Sequence, residues 1–563
     1  MNLKWWQKAV GYIIYPRSFK DTNDDGVGDL KGIISKLDYL KELGVDLLWI
    51  CPFFASPMDD NGYDVSNYYE IDPLFGTNED FDLLIKEAHA RNIRVIVDFV
   101  LNHTSDEHEW FKKAQKDKNS LERDYYFFQP PKKVNNKLVP PNNWKGFFST
   151  SAWTYDELSE QYYLHIFSKK MPDVNWANPS LRQKYYEIAR FYLNKGVDGF
   201  RLDALAHLAK DLTFSDSTYE VDQNGLVLDT TKFSNRKELF DYMDEFKKEV
   251  FNHYEIVTIG EVGGQVSPKQ SLRLTNYKNG SINIVFNFDT VWQNGAYGSV
   301  EKSDEEIVTD VLSLKKNLMR WYNATYQKAW LPLYWSNHDH PRVLSQYGSI
   351  KYRNESAKML ITVLLFLYGT PFIHYGDEIG MSNVTYEKLS DFDDVNNKNY
   401  IKENKGRYDE KTLLRFLRRT SRVNARTPMQ WDDTIHGGFS NVPPLTKINS
   451  NYKEVNVKNN ENNPDSILNY YKRAIKLRKN EKIQQSVLLG KLTLIDELNP
   501  DLLNFKHDGD VKILCLANFR DYEVKYKLRH KMERLLLHNY QDQKEEKGEL
   551  ILRPFECYLF EIK

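Results

Sequence analysis

The segment LKGIISKLDYLKELGVDLLWICP at residues 30–52 joins an amphipathic helical pattern to a short apolar run. In residues 30–44 apolar side chains recur every three or four positions, which predicts a helix with one buried face. The run that follows, VDLLWICP at 45–52, is short and is bounded by Pro, which predicts a buried strand. The same order returns in EDFDLLIKEAHARN at 79–92 and IRVIVDFV at 93–100. Helix and strand therefore alternate, as they do around a parallel sheet.

Eight such apolar runs occur along the chain, and eight units predict an α/β fold in which a (β/α)8 TIM barrel closes. The runs are AVGYIIYP at 9–16, VDLLWICP at 45–52, IRVIVDFV at 93–100, GVDGFRLD at 196–203, YEIVTIGE at 254–261, SINIVFNF at 281–288, WLPLYWSN at 330–337 and TPFIHYGD at 370–377.

Two segments depart from this alternation and predict further domains. Residues 104–172, after the third strand, are irregular and rich in Tyr, Trp, Pro and Asn, which indicates a small inserted domain over the barrel mouth. Residues 485–563 contain short strand patterns separated by turns, which indicates a C-terminal antiparallel β-sandwich. The barrel would then consist of residues 1–103 and 173–484. A length of 563 residues fits this division, because single cores stop growing beyond about 250–300 residues.

Charge and cysteine content limit the classes of function. There are 77 basic and 79 acidic residues, for a formal net charge of −2, so we expect neither nucleic acid nor a membrane surface as a partner. The three cysteines, Cys51, Cys515 and Cys557, are odd in number and widely spaced, which favours a reducing compartment over a disulfide framework. The first ten residues lack the apolar stretch of a signal peptide. We expect a cytoplasmic monomer that acts on a small molecule.

Polar and charged side chains gather at the carboxyl ends of the predicted strands, where a barrel of this type has its active site. They are Asp98, Asn102 and His103 at the third strand, Arg201 and Asp203 at the fourth, Glu261 at the fifth, and Asn337, His338 and Asp339 at the seventh. Burying a charge is costly unless it is paired, so packing alone does not explain four carboxylates on one rim.

Glycoside hydrolysis with retention of configuration requires two carboxyl groups about 5–5.5 Å apart, one as nucleophile and one as acid and then base. The neighbouring fourth and fifth strands supply such a pair in Asp203 and Glu261. Arg201 lies two residues before Asp203, on the same side of the strand. We expect its charge to hold that carboxylate ionised.

These strand ends resemble the signature segments of the α-amylase family of glycoside hydrolases, in sequence and in order. The resembling segments are DFVLNH at 98–103, GFRLDA at 199–204, IGEV at 259–262 and SNHD at 336–339. Six further segments resemble the oligo-1,6-glucosidase and α-glucosidase branch of that family: MPDVNWANP at 171–179, YPRSF at 15–19, NGYDVSNY at 61–68, HTSDEH at 103–108, FSKK at 167–170 and ARTPMQW at 425–431.

The resemblance implies an exo-acting retaining α-glucosidase that cleaves short oligosaccharides. Asp203 would be the nucleophile, Glu261 the general acid/base and Asp339 the stabiliser of the transition state. Asp64 and Arg426 would close the glucose pocket at its non-reducing end. The whole set of implied substrate-binding residues is Tyr63, Asp64, Asp98, His103, Arg201, Ala204, His338 and Arg426.

The segment DTNDDGVGD at 21–29 predicts a separate cation site. Oxygen-bearing side chains occupy alternate positions, as in an EF-hand loop. The ligands would be Asp21, Asn23, Asp25, Asp29 and the carbonyl oxygen of Val27. The branch that the chain resembles carries Ca²⁺ or Mg²⁺ at a matching loop, so the resemblance implies a structural ion and no catalytic cofactor.

One departure from the branch concerns linkage. Ala204 follows the predicted nucleophile, where members specific for α-1,6 bonds tend to carry Val and where smaller residues accompany α-1,4 activity. The resemblance therefore implies an α-1,4 preference that also admits α-1,6 bonds. It leaves open trehalose-6-phosphate hydrolysis or action on sucrose. From another class, a barrel that only binds sugar remains open, although such relatives lose the catalytic carboxylates.

Overall fold

Eight parallel strands form the centre of the molecule in a computed structural model that describes residues 3–148, 150–263 and 266–563. The strands are β1 (Gly11–Ile14), β2 (Leu47–Ile50), β3 (Arg94–Val100), β4 (Gly199–Asp203), β5 (Val257–Glu261), β6 (Ile284–Phe286), β7 (Pro332–Leu333) and β8 (Thr370–His374). They pair in the order β6-β5-β4-β3-β2-β1-β8-β7. The terminal strands β6 and β7 contact each other, so the sheet curls into a nearly closed barrel and the predicted fold is confirmed.

A ring of helices surrounds the strands. They are α1 (Leu37–Leu43), α2 (Asn78–Ala90), α3 (Pro179–Asn194), α4 (Glu238–Glu249), α5 (Pro268–Thr275), α6 (Val311–Thr325), α7 (Arg353–Phe366) and α8 (Ile467–Arg478). The helix predicted over 30–44 is divided, because Leu30–Ser35 ends at Lys36 before α1 begins. Helix α7 is buried from Ser356 to Phe366, since it lies between the barrel and the C-terminal strands.

The register of β4 positions the strand-end side chains. Its pairing with β3 sets Arg201 beside Asp98, and its pairing with β5 sets Leu202 beside Gly260. Gly199 begins the strand at a φ of +148°, where a Cβ would lie 1.9 Å from the carbonyl oxygen of Val257. Only glycine permits that approach of β4 to β5.

The chain between β3 and α3 covers part of the barrel mouth. It contains the helix Glu109–Lys116, a sheet of Phe128–Gln129, Gln161–Leu164 and Trp153–Asp156, and the hairpin of Lys132–Val134 and Lys137–Val139. Trp144, Trp153 and Phe233 belong to one buried cluster, so this excursion shares a core with the segment that follows β4.

The C-terminal strands form two antiparallel sheets, as predicted. One contains Lys491–Ile495, Asn504–Asp508, Lys512–Ala517, Cys557–Ile562 and Met532–His538; the other contains Val524–Tyr526, Glu549–Leu552 and Glu545–Glu546. Leu514 and Phe560 of the first sheet share a buried cluster with Tyr526 and Leu550 of the second, so the sheets pack face to face.

The remaining elements are short. They include the helices Trp5–Lys8, Val343–Tyr347, Val395–Asn404, Glu410–Thr420, Val457–Glu461 and Glu481–Leu489, and the strands Phe54–Ala55 and Asn67–Ile71. Among the described residues, none of the helices has the length and apolar character to cross a bilayer.

Candidate active site

One buried guanidinium holds three carboxyl groups at the end of the barrel. Arg201, on β4, is 2% exposed. Its Nη1 donates to Asp98 Oδ1 at 2.6 Å and also to Asp203, and its Nη2 donates to Glu261 Oε2 at 2.7 Å. Asp203 and Glu261, the two carboxyl groups that a retaining glycosidase needs close together, therefore share one cation.

Burial governs the protonation of Asp203. It raises the pKa of this carboxyl well above its usual value, and the neighbouring Glu261 and Asp98 raise it further. Arg201 acts in the opposite direction and lowers the pKa of Asp203, but the prediction that its charge holds this carboxylate ionised is not confirmed. Burial of the cluster nevertheless outweighs that one charge.

The turn after β4 directs a backbone amide at the predicted acid/base. Ala204 has φ 47° and ψ 31°, in the left-handed region, which is uncommon for a residue with a Cβ. In this conformation its N–H donates to Glu261 Oε2 at 3.1 Å. Strain of this kind is concentrated at functional sites.

Asp339 is surrounded by cationic and imidazole groups. Its Oδ1 accepts from Arg426 at 2.8 Å and from Arg422 at 3.2 Å, and its Oδ2 lies 3.0 Å from His338 Nε2. Burial alone would raise the pKa of Asp339, but His338 and the two guanidiniums outweigh it and hold the pKa well below its usual value. Asp339 therefore carries a negative charge at neutral pH.

A cavity of about 880 Å³ opens over these groups. Six of the predicted residues line it: Tyr63, His103, Asp203, Ala204, Glu261 and Asp339. The other five, Asp64, Asp98, Arg201, His338 and Arg426, lie buried behind its surface.

Asp98 supports the site from behind. It is fully buried, and Oδ2 accepts from Trp49 Nε1 at 2.8 Å and from the Tyr63 hydroxyl at 3.1 Å, while Oδ1 accepts from Arg201. Since both oxygens are occupied, Asp98 orients Arg201 and Tyr63 from behind the cavity, and its predicted part in binding substrate stays a prediction.

Asp64, which we predicted to close the pocket, does not lie on the cavity surface. Asp64 is fully buried, and its oxygens accept from the backbone amides of Asp59 at 2.8 Å and Asp60 at 3.0 Å. Asp60 lines the cavity instead and accepts from Arg422 at 2.5 Å. The motif resemblance drew attention to the Asp after Gly62 and Tyr63, whereas the side chain that faces the cavity lies before Asn61.

A buried ion pair that we did not predict supports His103. Lys210 Nζ lies 2.9 Å from Asp173 Oδ2 and donates to Asn102 Oδ1 at 2.6 Å. Burial and the charge of Lys210 lower the pKa of His103 to about 3, so this imidazole is neutral when it faces the cavity. His207 is affected in the same way.

One strand end differs from the prediction. Strand β7 ends at Leu333, so the predicted residues at 337–339 lie in the connection that follows it.

The residues from 13 to 486 match the family model described as the α-amylase catalytic domain. The chain belongs to the α-amylase family. As a member of that family it is a glycoside hydrolase.

Individual relatives resemble the chain over its whole length. It is 44% identical over 572 residues to an oligo-1,6-glucosidase of Bacillus cereus, with all of both chains covered. It is 37% identical over 570 residues to an α-glucosidase of Pediococcus pentosaceus, covering 100% of this chain and 99% of the other. The crystal structure of the isomaltulose synthase of Erwinia rhapontici NX5 superposes with a TM-score of 0.93 at 37% identity over all of both chains.

The 21–29 loop of this α-amylase family chain curls around Asp21. That side chain is buried and accepts from the amides of Asn23, Asp24 and Gly26. Asp29 caps the helix Leu30–Ser35 through the amide of Gly32. Asp21 Oδ1 accepts two of these hydrogen bonds, whereas Oδ2 accepts only the one from Gly26 and so keeps a lone pair for a ligand.

This loop fits a hard cation only with help from other oxygens. Among the described residues, no three carboxylates of the 21–29 loop have oxygen atoms that all lie within 4.8 Å of one another. The amide oxygen of Asn23, the carbonyl oxygen of Val27 and water would have to complete the coordination shell.

Proposed function

We propose that the protein is an exo-acting retaining α-glucosidase that releases α-D-glucose from short α-glucosides. The observation that carries this proposal is the shared guanidinium of Arg201, which holds Asp203 and Glu261 together at the cavity. The names of two relatives described above, an oligo-1,6-glucosidase and an α-glucosidase, support the same activity.

The first step uses the ionised form of Asp203, whose carboxylate attacks the anomeric carbon from the β face while Glu261 gives its proton to the departing oxygen. A β-linked glucosyl–enzyme ester forms, and the leaving sugar departs as an alcohol. In the second step Glu261 takes a proton from water, which attacks from the α face and frees Asp203. Asp339, being ionised, stabilises positive charge at the anomeric centre of the transition state.

The walls around Asp339 support an exo mode of action. Arg422 contacts Asp60, Asp339 and Asp394 at once. This ion network closes one side of the cavity, and a closed pocket admits a chain end but not the middle of a chain.

Glucose release tests the proposal. Maltose, isomaltose, sucrose, trehalose, trehalose 6-phosphate and starch are compared at equal concentration. We expect glucose in its α form as the first product from maltose and isomaltose, with a much lower rate per bond on starch. Internal cleavage products from starch, or no product from either disaccharide, would refute the activity.

We further propose an α-1,4 preference that also admits α-1,6 bonds. Ala204 lines the cavity beside Asp203 with only a methyl group, which leaves space for the direction in which an α-1,4 substrate continues.

Ala204→Val is expected to lower kcat/KM for maltose about tenfold more than for isomaltose, because one or two methyl groups shift discrimination by about 1–3 kcal/mol. Val is strained at the left-handed Ala204 position, so the folded fraction can fall. The maltose-to-isomaltose ratio within one preparation is independent of that fraction. An unchanged ratio would show that other residues determine the linkage.

We also propose that Ca²⁺ or Mg²⁺ binds the 21–29 loop and stabilises the native state. A chelator should lower Tm by about 3–5 °C, because a ligand that binds only the native state adds to its stability. Asp25 is exposed and bonds only within the loop, so Asp25→Ala should abolish the response to chelator. Equal responses of both proteins, or none in the wild type, would contradict the site.

We propose, finally, that the protein is a cytoplasmic monomer. The free, buried state of Cys51, Cys515 and Cys557 supports a reducing compartment. Sedimentation of the purified protein as a 66.5 kDa particle is the expected result, and a larger particle would refute the monomer.

A further inference from the structure

A second cavity, of about 900 Å³, adjoins the active-site cavity. Lys145, Tyr400 and Glu403 line both spaces. The far part of the second cavity is polar and includes Asn404, Lys405 and Arg407. None of the steps proposed above uses it.

An ion cluster stands where the two cavities meet. Lys145 Nζ lies 2.7 Å from Glu403 Oε1 and 2.9 Å from Asp222 Oδ2. The three side chains are 15% to 27% exposed, so they are shielded enough for the attraction to persist in salt. We call Lys145, Asp222 and Glu403 the barrier cluster.

The barrier cluster joins three excursions of the chain. Lys145 belongs to the segment between β3 and α3, and Asp222 to the segment between β4 and α4. Backbone hydrogen bonds already link these two, because Lys145 N donates to Val227 O at 2.8 Å and Val227 N donates to Asn143 O at 2.9 Å.

Glu403 reaches this pair from the other side of the mouth. It belongs to the helix Val395–Asn404, in the long connection after β8. Its contact with Lys145 therefore connects the segment between β3 and α3 to the segment after β8. Only side chains form this contact, so a substitution can remove it while the backbone of both segments stays in place.

The active-site cavity extends from the predicted catalytic groups to the barrier cluster. It is lined by Asp203 and Asp339, where the proposed mechanism requires the terminal glucose, and also by Phe288, Trp292, Tyr400 and Glu403. This part of the cavity offers space to sugars attached to the reducing side of the scissile bond. A longer leaving group would then reach the ion pairs and the second cavity beyond them.

We propose that the barrier cluster limits the length of the leaving group, and that the second cavity accepts glucosyl units of a longer α-glucan when the cluster is broken. The proposal rests on the α-glucosidase activity proposed above. The polar lining of the second cavity supplies donors and acceptors for sugar hydroxyls, and Tyr400 offers an aromatic face where the two cavities meet.

The experiment compares three substrates in each enzyme: p-nitrophenyl α-glucoside, maltose and maltopentaose. Lys145→Met keeps the aliphatic stem, and Glu403→Gln keeps the shape of the carboxylate. Both variants should raise the maltopentaose-to-maltose ratio of kcat/KM about five- to tenfold. The activity on p-nitrophenyl α-glucoside should stay within about twofold, because this leaving group ends before the cluster.

Lys132→Met is the matched control. Lys132 lies 3.3 Å from Asp216 and links the same two excursions on the surface, but it lines neither cavity. Its loss should leave the ratio unchanged. The double variant Lys145→Met/Glu403→Gln should match either single variant, because each removes the same bridge.

Three results would contradict the proposed role of the barrier cluster, and a fourth would contradict the proposed function instead. An unchanged ratio in both cavity variants, or an equal rise in the Lys132 control, overturns the barrier. An equal fall for all three substrates also overturns it, because that pattern indicates general damage to the active site. If the wild type hydrolyses no α-glucoside, the proposed function fails first, and the result is distinct from a failure of the barrier.

Discussion

Asp203→Asn is expected to lower turnover of maltose by at least about 10⁴-fold, because the amide oxygen cannot form the glucosyl ester. The fold should persist. Asn still accepts a hydrogen bond from Arg201, which keeps its contacts with Asp98 and Glu261. The measurement is kcat for maltose together with Tm of the variant.

A control separates loss of the nucleophile from loss of an acidic side chain. Asp211 pairs with Lys232 at 3.0 Å outside the active-site cavity, so Asp211→Asn should keep nearly full activity. Residual activity of Asp203→Asn above about one per cent of wild type would contradict the assignment. So would release of β-glucose as the first product of the wild-type enzyme, observed by NMR before the anomers equilibrate.

Much of the barrel could be predicted from the sequence, because its strands are short apolar runs between amphipathic helices. Each of the eight runs contains one of the eight strands, and Arg201, Asp203 and Glu261 lie where strand ends in a barrel must converge. Helix α7 is different. Its residues are apolar on nearly every side, and only the structure shows that C-terminal strands cover the second face.

The site was predictable where motifs are local and less so where distant segments meet. Asp60 and Arg422 are 362 positions apart in the chain yet bond at 2.5 Å. Neither periodicity nor spacing reports such a pair. The Lys210–Asp173 pair was missed for a related reason: a lysine in sequence predicts a solvated side chain, and burial with a partner is a tertiary effect.

Asp64 shows the limit of reasoning by motif. A carboxylate beside Gly62 and Tyr63 has the right chemistry for gripping a sugar, but its direction depends on the turn. Here the turn leads Asp64 inward to the amides of Asp59 and Asp60. The motif indicates which segment carries the function, while the local hydrogen bonds decide which residue faces the substrate.

Glu261→Ala is expected to lower kcat/KM for maltose by about 10³-fold or more, since general acid catalysis contributes about 10²–10⁴-fold. The loss should be small for α-glucosyl fluoride, because fluoride departs without a full proton transfer. Attack of water in the second step also lacks its base, so the glucosyl–enzyme should accumulate and release one equivalent of fluoride in a burst.

Azide distinguishes the two carboxyl groups by the configuration of the product. In Glu261→Ala the ester to Asp203 still forms, and azide replaces water on the α face, giving α-glucosyl azide. In Asp203→Ala azide occupies the space of the missing nucleophile, attacks the substrate from the β face and gives β-glucosyl azide. Both alanine variants leave room for a small anion next to Arg201, whose charge attracts it. Because the two products differ only in configuration, NMR of the purified azide assigns each role independently of rate. If both variants gave the same anomer, or if the two anomers were exchanged, the assignment of Asp203 as nucleophile and Glu261 as acid/base would be wrong.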